Sequence, residues 1–192
     1  AYESGKRFIV NQGGSRSGKT YSLIQLLINL SKVPRTSISI CSIAFPHLRR
    51  GAIRDFMEII DPVYKREYHS LTEQIYHFPN GSYIEFFSAD QPDRLRGARR
   101  DILYINEANN VPFEAYNQLA IRTNREVWLD YNPTSAFWVD KEILTQSDVD
   151  FITLTYLDNE ALSETIVQEI EAAKVKALTS TYWANWWQVY GL

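Results

Sequence analysis

The chain's 192 residues suffice for one domain with a sizeable core, and 45% hydrophobic and 22% charged residues exclude a disordered chain. A net charge of −3 advertises no general affinity for nucleic acid but leaves room for a local basic patch. The lone cysteine, Cys41, excludes an internal disulfide and points to a reducing compartment; no apolar run approaches the roughly 20 residues of a membrane span, and no signal-peptide pattern opens the chain.

RFIVNQ (7–12) reads as a short apolar strand running into the glycine-rich GGSRSGKT (13–20). A buried helix is expected from Lys19 to about Leu30, because Leu23, Ile24, Leu27, Ile28 and Leu30 recur at helical spacing. TSISICSI (36–43) is a second strand. From Leu48 to about Tyr68 the apolar spacing is helical again, with Pro62 as the expected bend. QIYHF (74–78), Asn80-Gly81 and SYIEFF (82–87) form a hairpin signal, since Asn-Gly favours the tight turn. DQPDRLRGARRD (90–101) is a basic loop and ILYIN (102–106) a buried strand. A short helix over 111–119, strands at EVWLD (126–130) and FITLTYL (151–157), an amphipathic helix over 164–178 and an aromatic-rich helical tail complete the chain.

This alternation predicts a single α/β domain over 1–192: a mostly parallel central sheet flanked by helices, with an inserted β-hairpin. Gly13, Gly14, Ser15, Arg16, Ser17, Gly18, Lys19 and Thr20 satisfy the G-x-x-x-x-G-K-[ST] phosphate loop in full. Its glycines let backbone N–H groups curl around a phosphate, and the following helix presents its positive end to the anion. Lys19 would reach the β- and γ-phosphates of ATP, and the Thr20 hydroxyl would ligate Mg2+. Arg16 is an extra cation in the loop, either at the γ-phosphate or facing solvent.

The second half of such a site is DILYINEANN (101–110). Glu107 follows the strand directly, as a water-activating glutamate would. The magnesium-holding aspartate expected before it is replaced by Asn106, whose neutral amide should hold the ion less tightly. Asp101 would sit roughly 16 Å away, at the wrong end of the strand. Asp130, ending EVWLD, is the better candidate if that strand lies beside ILYIN. The segments between the two halves suggest an extra strand between the phosphate-loop strand and the glutamate strand. The fold class is therefore a P-loop NTPase of the additional-strand, catalytic-glutamate type.

Three segments carry a closer resemblance: GGSRSGKT (13–20), FPNGSYIEFFSADQPDRLRG (78–97) leading into DILYINEAN (101–109), and LDYNPTSAFWVDKEI (129–143). With TYLDN (155–159) and WWQVYGL (186–192), the chain resembles the ATPase domain of the large terminase subunit of tailed bacteriophages and prophages. An asparagine before the glutamate is similar to a variation in some branches of that family. The resemblance implies an ATPase motor in the host cytoplasm that threads double-stranded DNA into a procapsid. It implies a homo-oligomeric ring docked on a portal protein, with a small terminase subunit as partner. It places coupling or sensing on Tyr131 and Asn132. The family's nuclease domain would begin about where this chain stops, so DNA cleavage is not expected of it.

Ring ATPases often complete the site with a neighbour's arginine. Arg96 and Arg99 are the leading candidates in the cluster Arg94, Arg96, Arg99 and Arg100, while Arg122 and Arg125 form a second pair. Finger, DNA contact and solvated face stay open for each, as does DNA contact by Arg49, Arg50 and Arg54. Tyr182, Trp183, Trp186, Trp187 and Tyr190 are expected in core packing or a docking face. Two rival functions remain: a small P-loop nucleotide kinase, and an assembly module that binds ATP with little turnover.

Overall fold

The computed structural model describes residues 5–90, 97 and 99–191. Eight strands form one sheet in the order β3-β4-β5-β2-β6-β7-β1-β8. They are β1 (Phe8–Gly13), β2 (Ser37–Ser42), β3 (His69–Ser70), β4 (Ile75–His77), β5 (Tyr83–Ser88), β6 (Arg100–Ile105), β7 (Thr123–Tyr131) and β8 (Val149–Leu154). The six strands from β5 to β8 across the sheet are parallel; β3 and β4 pair antiparallel.

Both faces of the central strands are apolar, as burial on both sides requires. Alternation sends Phe8, Val10, Leu103, Ile105, Val127, Leu129 and Tyr131 to one face, where they pack with Val139 and Ile143. Ile9, Ile102, Tyr104 and Trp128 go to the other, beneath α1 (Lys19–Leu30) and α3 (Ala52–Ile60). Leu23, Ile24, Leu27 and Leu30 are the buried stripe of α1. Asn106 and Asp130 have the same parity as Tyr104 and Trp128, so both fall on the α1 side, at the strand ends from which α1 also departs.

The predicted helix over 48–68 is instead two. α2 (Phe45–Arg50) ends at Gly51, whose backbone angles (φ −112°, ψ −101°) are not helical, and α3 then stops before Pro62. The break belongs to glycine, which lacks the Cβ that would oppose such a bend; the proline stands in a following 3₁₀ turn. A strand does separate β1 from β6, but it is β7, which follows Glu107 in sequence. The hairpin strand β5 lies beyond β2 instead.

α4 (Phe113–Ala120) covers the opposite face, and α5 (Glu164–Ala177) packs on α6 (Thr181–Tyr190). None of α6's residues is fully buried. Its aromatics stack on one another and hold α5 through Lys174 over Trp187 and Lys176 over Trp183. The expected aromatic packing is therefore a half-buried seam between two helices, not the core. No helix among the described residues is long and apolar enough to cross a membrane.

Candidate active site

β1 delivers the chain into the phosphate loop at Gly13. A Cβ there would come 2.1 Å from the Leu154 carbonyl oxygen of neighbouring β8, so only glycine fits. The Ser17 hydroxyl closes the turn by donating to the Gly14 carbonyl at 2.8 Å. Gly18 (φ 74°) takes the left-handed conformation immediately before α1. Lys19 folds back into the loop: its Nζ donates to the Gly13 carbonyl at 2.8 Å and to Asn132 Oδ1 at 2.7 Å. Asn132 Nδ2 reaches Ser15 Oγ at 3.0 Å, so this one residue ties the end of β7 to the loop.

Asp130 lies at the centre of the second half. It is 2% exposed, on the strand between β1 and β6. Its Oδ1 accepts from Asn106 Nδ2 at 3.1 Å and from the Glu107 backbone N–H at 2.8 Å. Its Oδ2 accepts from the Thr20 hydroxyl at 3.3 Å. Burial pushes the Asp130 carboxyl above its ordinary range, partly offset by the Lys19 charge and these N–H donors. Burial likewise pulls the Lys19 ammonium below its ordinary value, with Asp130 and Glu107 opposing. A buried carboxylate, a hydroxyl and an amide are the hard donors a magnesium ion takes in small number, keeping waters for its other positions.

Glu107 follows β6 in a left-handed conformation (φ 56°) that turns its side chain out of the sheet. Its Oε2 meets His47 Nδ1 at 3.1 Å and Asn110 Nδ2 at 3.3 Å. Phosphate loop, Asn106, Glu107 and α2 enclose a cleft of about 530 Å³, walled also by Arg50, Arg54, Asn159 and Leu162. Such a crevice at the carboxyl ends of parallel strands is where open α/β sheets bind ligands.

The sequence profile of one family, described as phage terminase large subunit, matches residues 5–185. The chain belongs to the phage terminase large subunit family. No curated protein sequence matches it. Among solved structures, it superposes on the large terminase of a thermophilic bacteriophage with a TM-score of 0.81 at 18% identity, covering 98% of this chain and 48% of that one. A form of the same thermophilic-phage protein holding ATP-γ-S gives 0.75 at 18% identity, with the same 98% and 48% coverage. The large terminase ATPase domain of Thermus phage P74-26 gives 0.67 at 16% identity, covering 98% and 88%. The Phi-28 gp11 DNA packaging motor gives 0.56 at 11% identity, covering 99% and 66%. This terminase chain thus spans about half the length of the thermophilic-phage protein and most of the P74-26 domain.

Within this terminase chain the fold gathers Lys19, Thr20, Asn106, Glu107, Asp130 and Asn132 at one end of the sheet, and Arg16 lines the same cleft. Tyr131 does not join them. It packs against Phe137, its hydroxyl donates to Gln12 Oε1, and burial pushes it up to about 12. Arg99 is exposed just before β6, at the far end of that strand and roughly 23 Å from Asn106, so it cannot serve its own chain's cleft. Arg94 and Arg96 lie outside the described residues.

Arg100 is buried against Phe87 and the Leu119 carbonyl, a core role. Asp101 accepts from Ser37 at the far strand end, away from the cleft. Arg50 and Arg54 wall the cleft, and Arg54 also pairs with Asp55 at 2.8 Å. His47 and Asn110 are site residues that the sequence reading misses. Asn110 stands three positions after Glu107, a spacing at which a short turn brings side chains together, but His47 is 60 positions away.

Proposed function

We propose that this chain is one Mg2+-dependent ATPase domain whose hydrolysis of ATP drives double-stranded DNA into a procapsid. The observation carrying this reading is the convergence of Lys19, Thr20, Asp130 and Glu107 at the ends of three adjacent parallel strands. Family membership and the ATP-γ-S in the thermophilic-phage terminase support ATP as the nucleotide.

The loop N–H groups and the start of α1 cradle the phosphates, and Lys19 leaves its carbonyl partners for the γ-phosphate. Thr20 directly, and Asp130 through water, would hold the magnesium ion of MgATP, which offsets charge gathering on the phosphate oxygens. Asn106 acts one step back: its amide donates to Asp130 and fixes the carboxylate. Glu107 accepts the proton of the attacking water through Oε1, which carries no hydrogen bond among the described residues. Asn132, bonded to both Lys19 and Ser15, would report the γ-phosphate to β7. Arg96 or Arg99 of a neighbour in a ring would complete the site in trans. Portal protein and small terminase subunit would be its partners, in the host cytoplasm.

Single-turnover hydrolysis tests it. Glu107→Gln should retain ATP binding and lose about 10²- to 10⁴-fold in rate, with phosphate released to water. Phosphate transferred to a nucleotide acceptor, or a rate unchanged in Glu107→Gln, would overturn the reading. Turnover that rises more than linearly with protein concentration is the expected sign of an arginine in trans.

A further inference from the structure

The segment Thr155-Tyr156-Leu157-Asp158-Asn159 leaves β8, the edge strand beside β1, and none of the roles assigned above uses it. Its first turn is closed on itself. Asp158 Oδ2 accepts from the Thr155 N–H at 2.7 Å and from its hydroxyl at 3.0 Å, and Thr155 Oγ1 accepts from the Leu157 N–H at 3.3 Å. Tyr156 anchors the turn from behind: it is buried, its ring lies edge-on to Trp187 of α6, and its hydroxyl donates to Glu171 of α5. The turn so held delivers Asn159 to the phosphate loop. Asn159 Nδ2 donates to the Arg16 carbonyl at 2.9 Å, and Asn159 Oδ1 accepts from the Ala161 N–H at 3.2 Å. A Cβ on Gly18 would lie 3.4 Å from Asn159 Cγ, so the amide rests against the left-handed residue that opens α1.

The two ends of this amide are not interchangeable. Arg16 offers it an acceptor and Ala161 a donor, so only a side chain carrying both groups satisfies both. The Arg16–Ser17 peptide is planar, and its carbonyl and N–H point opposite ways. Asn159 takes the carbonyl, and the Gly14 carbonyl takes the Ser17 N–H at 3.1 Å. This peptide lies within the run whose N–H groups would face a phosphate, and a carbonyl turned into that cradle would repel the anion. We propose that Asn159 is a positioning residue for nucleotide binding: its amide pins the Arg16 carbonyl outside the phosphate cradle, so that the loop meets the triphosphate already shaped. This role rests on the ATPase reading above. Asn159 holds the loop and not the reacting atoms, so it acts on affinity and not on the chemical step. Its own backbone (φ −104°, ψ 89°) lies at negative φ, which alanine and aspartate also adopt.

The test compares wild type with Asn159→Ala, Asn159→Asp and Lys19→Ala. Each is titrated with ATP-γ-S in the presence of MgCl2, assayed for turnover at rising ATP concentration, and unfolded thermally without nucleotide. Asn159→Ala should bind ATP-γ-S about 5- to 20-fold more weakly, as one lost hydrogen bond and a looser loop imply. KM should rise with it while kcat stays within about 3-fold of wild type. Its Tm without nucleotide should stay within about 3 °C of wild type. Asn159→Asp should bind more weakly still, because a carboxylate oxygen then faces the Arg16 carbonyl and sets a negative charge beside the phosphates. Wild-type affinity in either Asn159 variant would overturn the proposal. So would a kcat that falls further than KM rises, or a Tm that drops by more than about 6 °C along with the affinity, the mark of a strut for the whole fold. Wild type that binds no ATP-γ-S, or Lys19→Ala that binds it as tightly as wild type, would bring down the ATPase reading and this role with it. Wild type that binds ATP-γ-S without hydrolysing ATP would refute the ATPase reading alone, and the affinities would still decide the role of Asn159.

Discussion

On the proposed ATPase reading, Asp130 and Asn106 would divide between them what one aspartate does in many phosphate-loop ATPases, and exchanging their chemistry tests that division. In Asn106→Asp, a second carboxylate oxygen replaces the amide nitrogen 3.1 Å from Asp130 Oδ1, with both residues buried. Two unit charges at that distance repel by about 5 kcal/mol at an effective dielectric near 20. Taking up one shared proton relieves this, at a cost near neutral pH of about 3–5 kcal/mol. Thermal unfolding should show Tm lowered by roughly 6–20 °C at pH 8, from about 2–4 °C per kcal/mol in a chain this long. The shared proton gives the folded pair a pKa above its unfolded value. The deficit is therefore full at high pH and fades as pH falls through that folded value.

Asp130→Asn behaves differently. An amide oxygen still accepts from Asn106 and from the Glu107 N–H, and the new Nδ2 faces the Thr20 hydroxyl, so the fold should be retained. The charge is gone, so half-saturating Mg2+ for turnover should rise by about 10-fold or more, equivalent to about 1.4 kcal/mol. The double variant removes the like-charge pair but sets the new carboxylate at position 106 against the amide oxygen that receives the Glu107 N–H. It should regain only part of the stability lost in Asn106→Asp. Asn106→Asp as stable as wild type at pH 8, or an unchanged Mg2+ requirement in Asp130→Asn, would refute the assignment.

Without metal, ionised Asp130 costs the fold stability, because burial holds its folded pKa above the unfolded one. That cost is present above the folded pKa and disappears as pH falls through it. The Tm of wild type minus that of Asp130→Asn should therefore rise on acidification from pH 8 to pH 4, and a flat difference would contradict the burial argument. Gly13→Ala would push a methyl to 2.1 Å from the Leu154 carbonyl, forcing β1 and β8 apart. It should lower Tm by about 4–12 °C, from an overpacking cost of about 2–3 kcal/mol, and weaken ATP-γ-S binding in titration.

The parts of this site that lie along one stretch of chain are legible in sequence, and the parts that lie across strands are not. GGSRSGKT carries its own conformational demands, and the helix predicted from Lys19 to Leu30 has those bounds in the fold. Glu107 is found because it follows a buried strand. That the Tyr131 side chain stays out of the cleft follows from strand alternation alone: if Asp130 faces α1, Tyr131 goes to the other side of the sheet. The segments preceding Glu107 suggest the strand inserted between β1 and β6, whereas β7 fills the gap. Strand order is set by where crossovers pack, which local pattern does not encode.

His47 shows the same limit at its sharpest. Nothing near it in sequence marks it, and it meets Glu107 only because β2 and β6 are neighbours with their ends in register. Asn106 is the converse case. Read along β6 alone, the missing carboxylate looks like a lost metal site. Across the strand ends, Asp130 has the matching parity, sits one strand over and receives both the Asn106 amide and the Thr20 hydroxyl. An acid in that place also accepts the Glu107 N–H, so the strand that would hold the ion fixes the backbone of the residue that would activate the water. Moving the carboxylate to position 106 would separate those two tasks, and for that physical reason the asparagine cannot be treated as a neutral substitute for an aspartate.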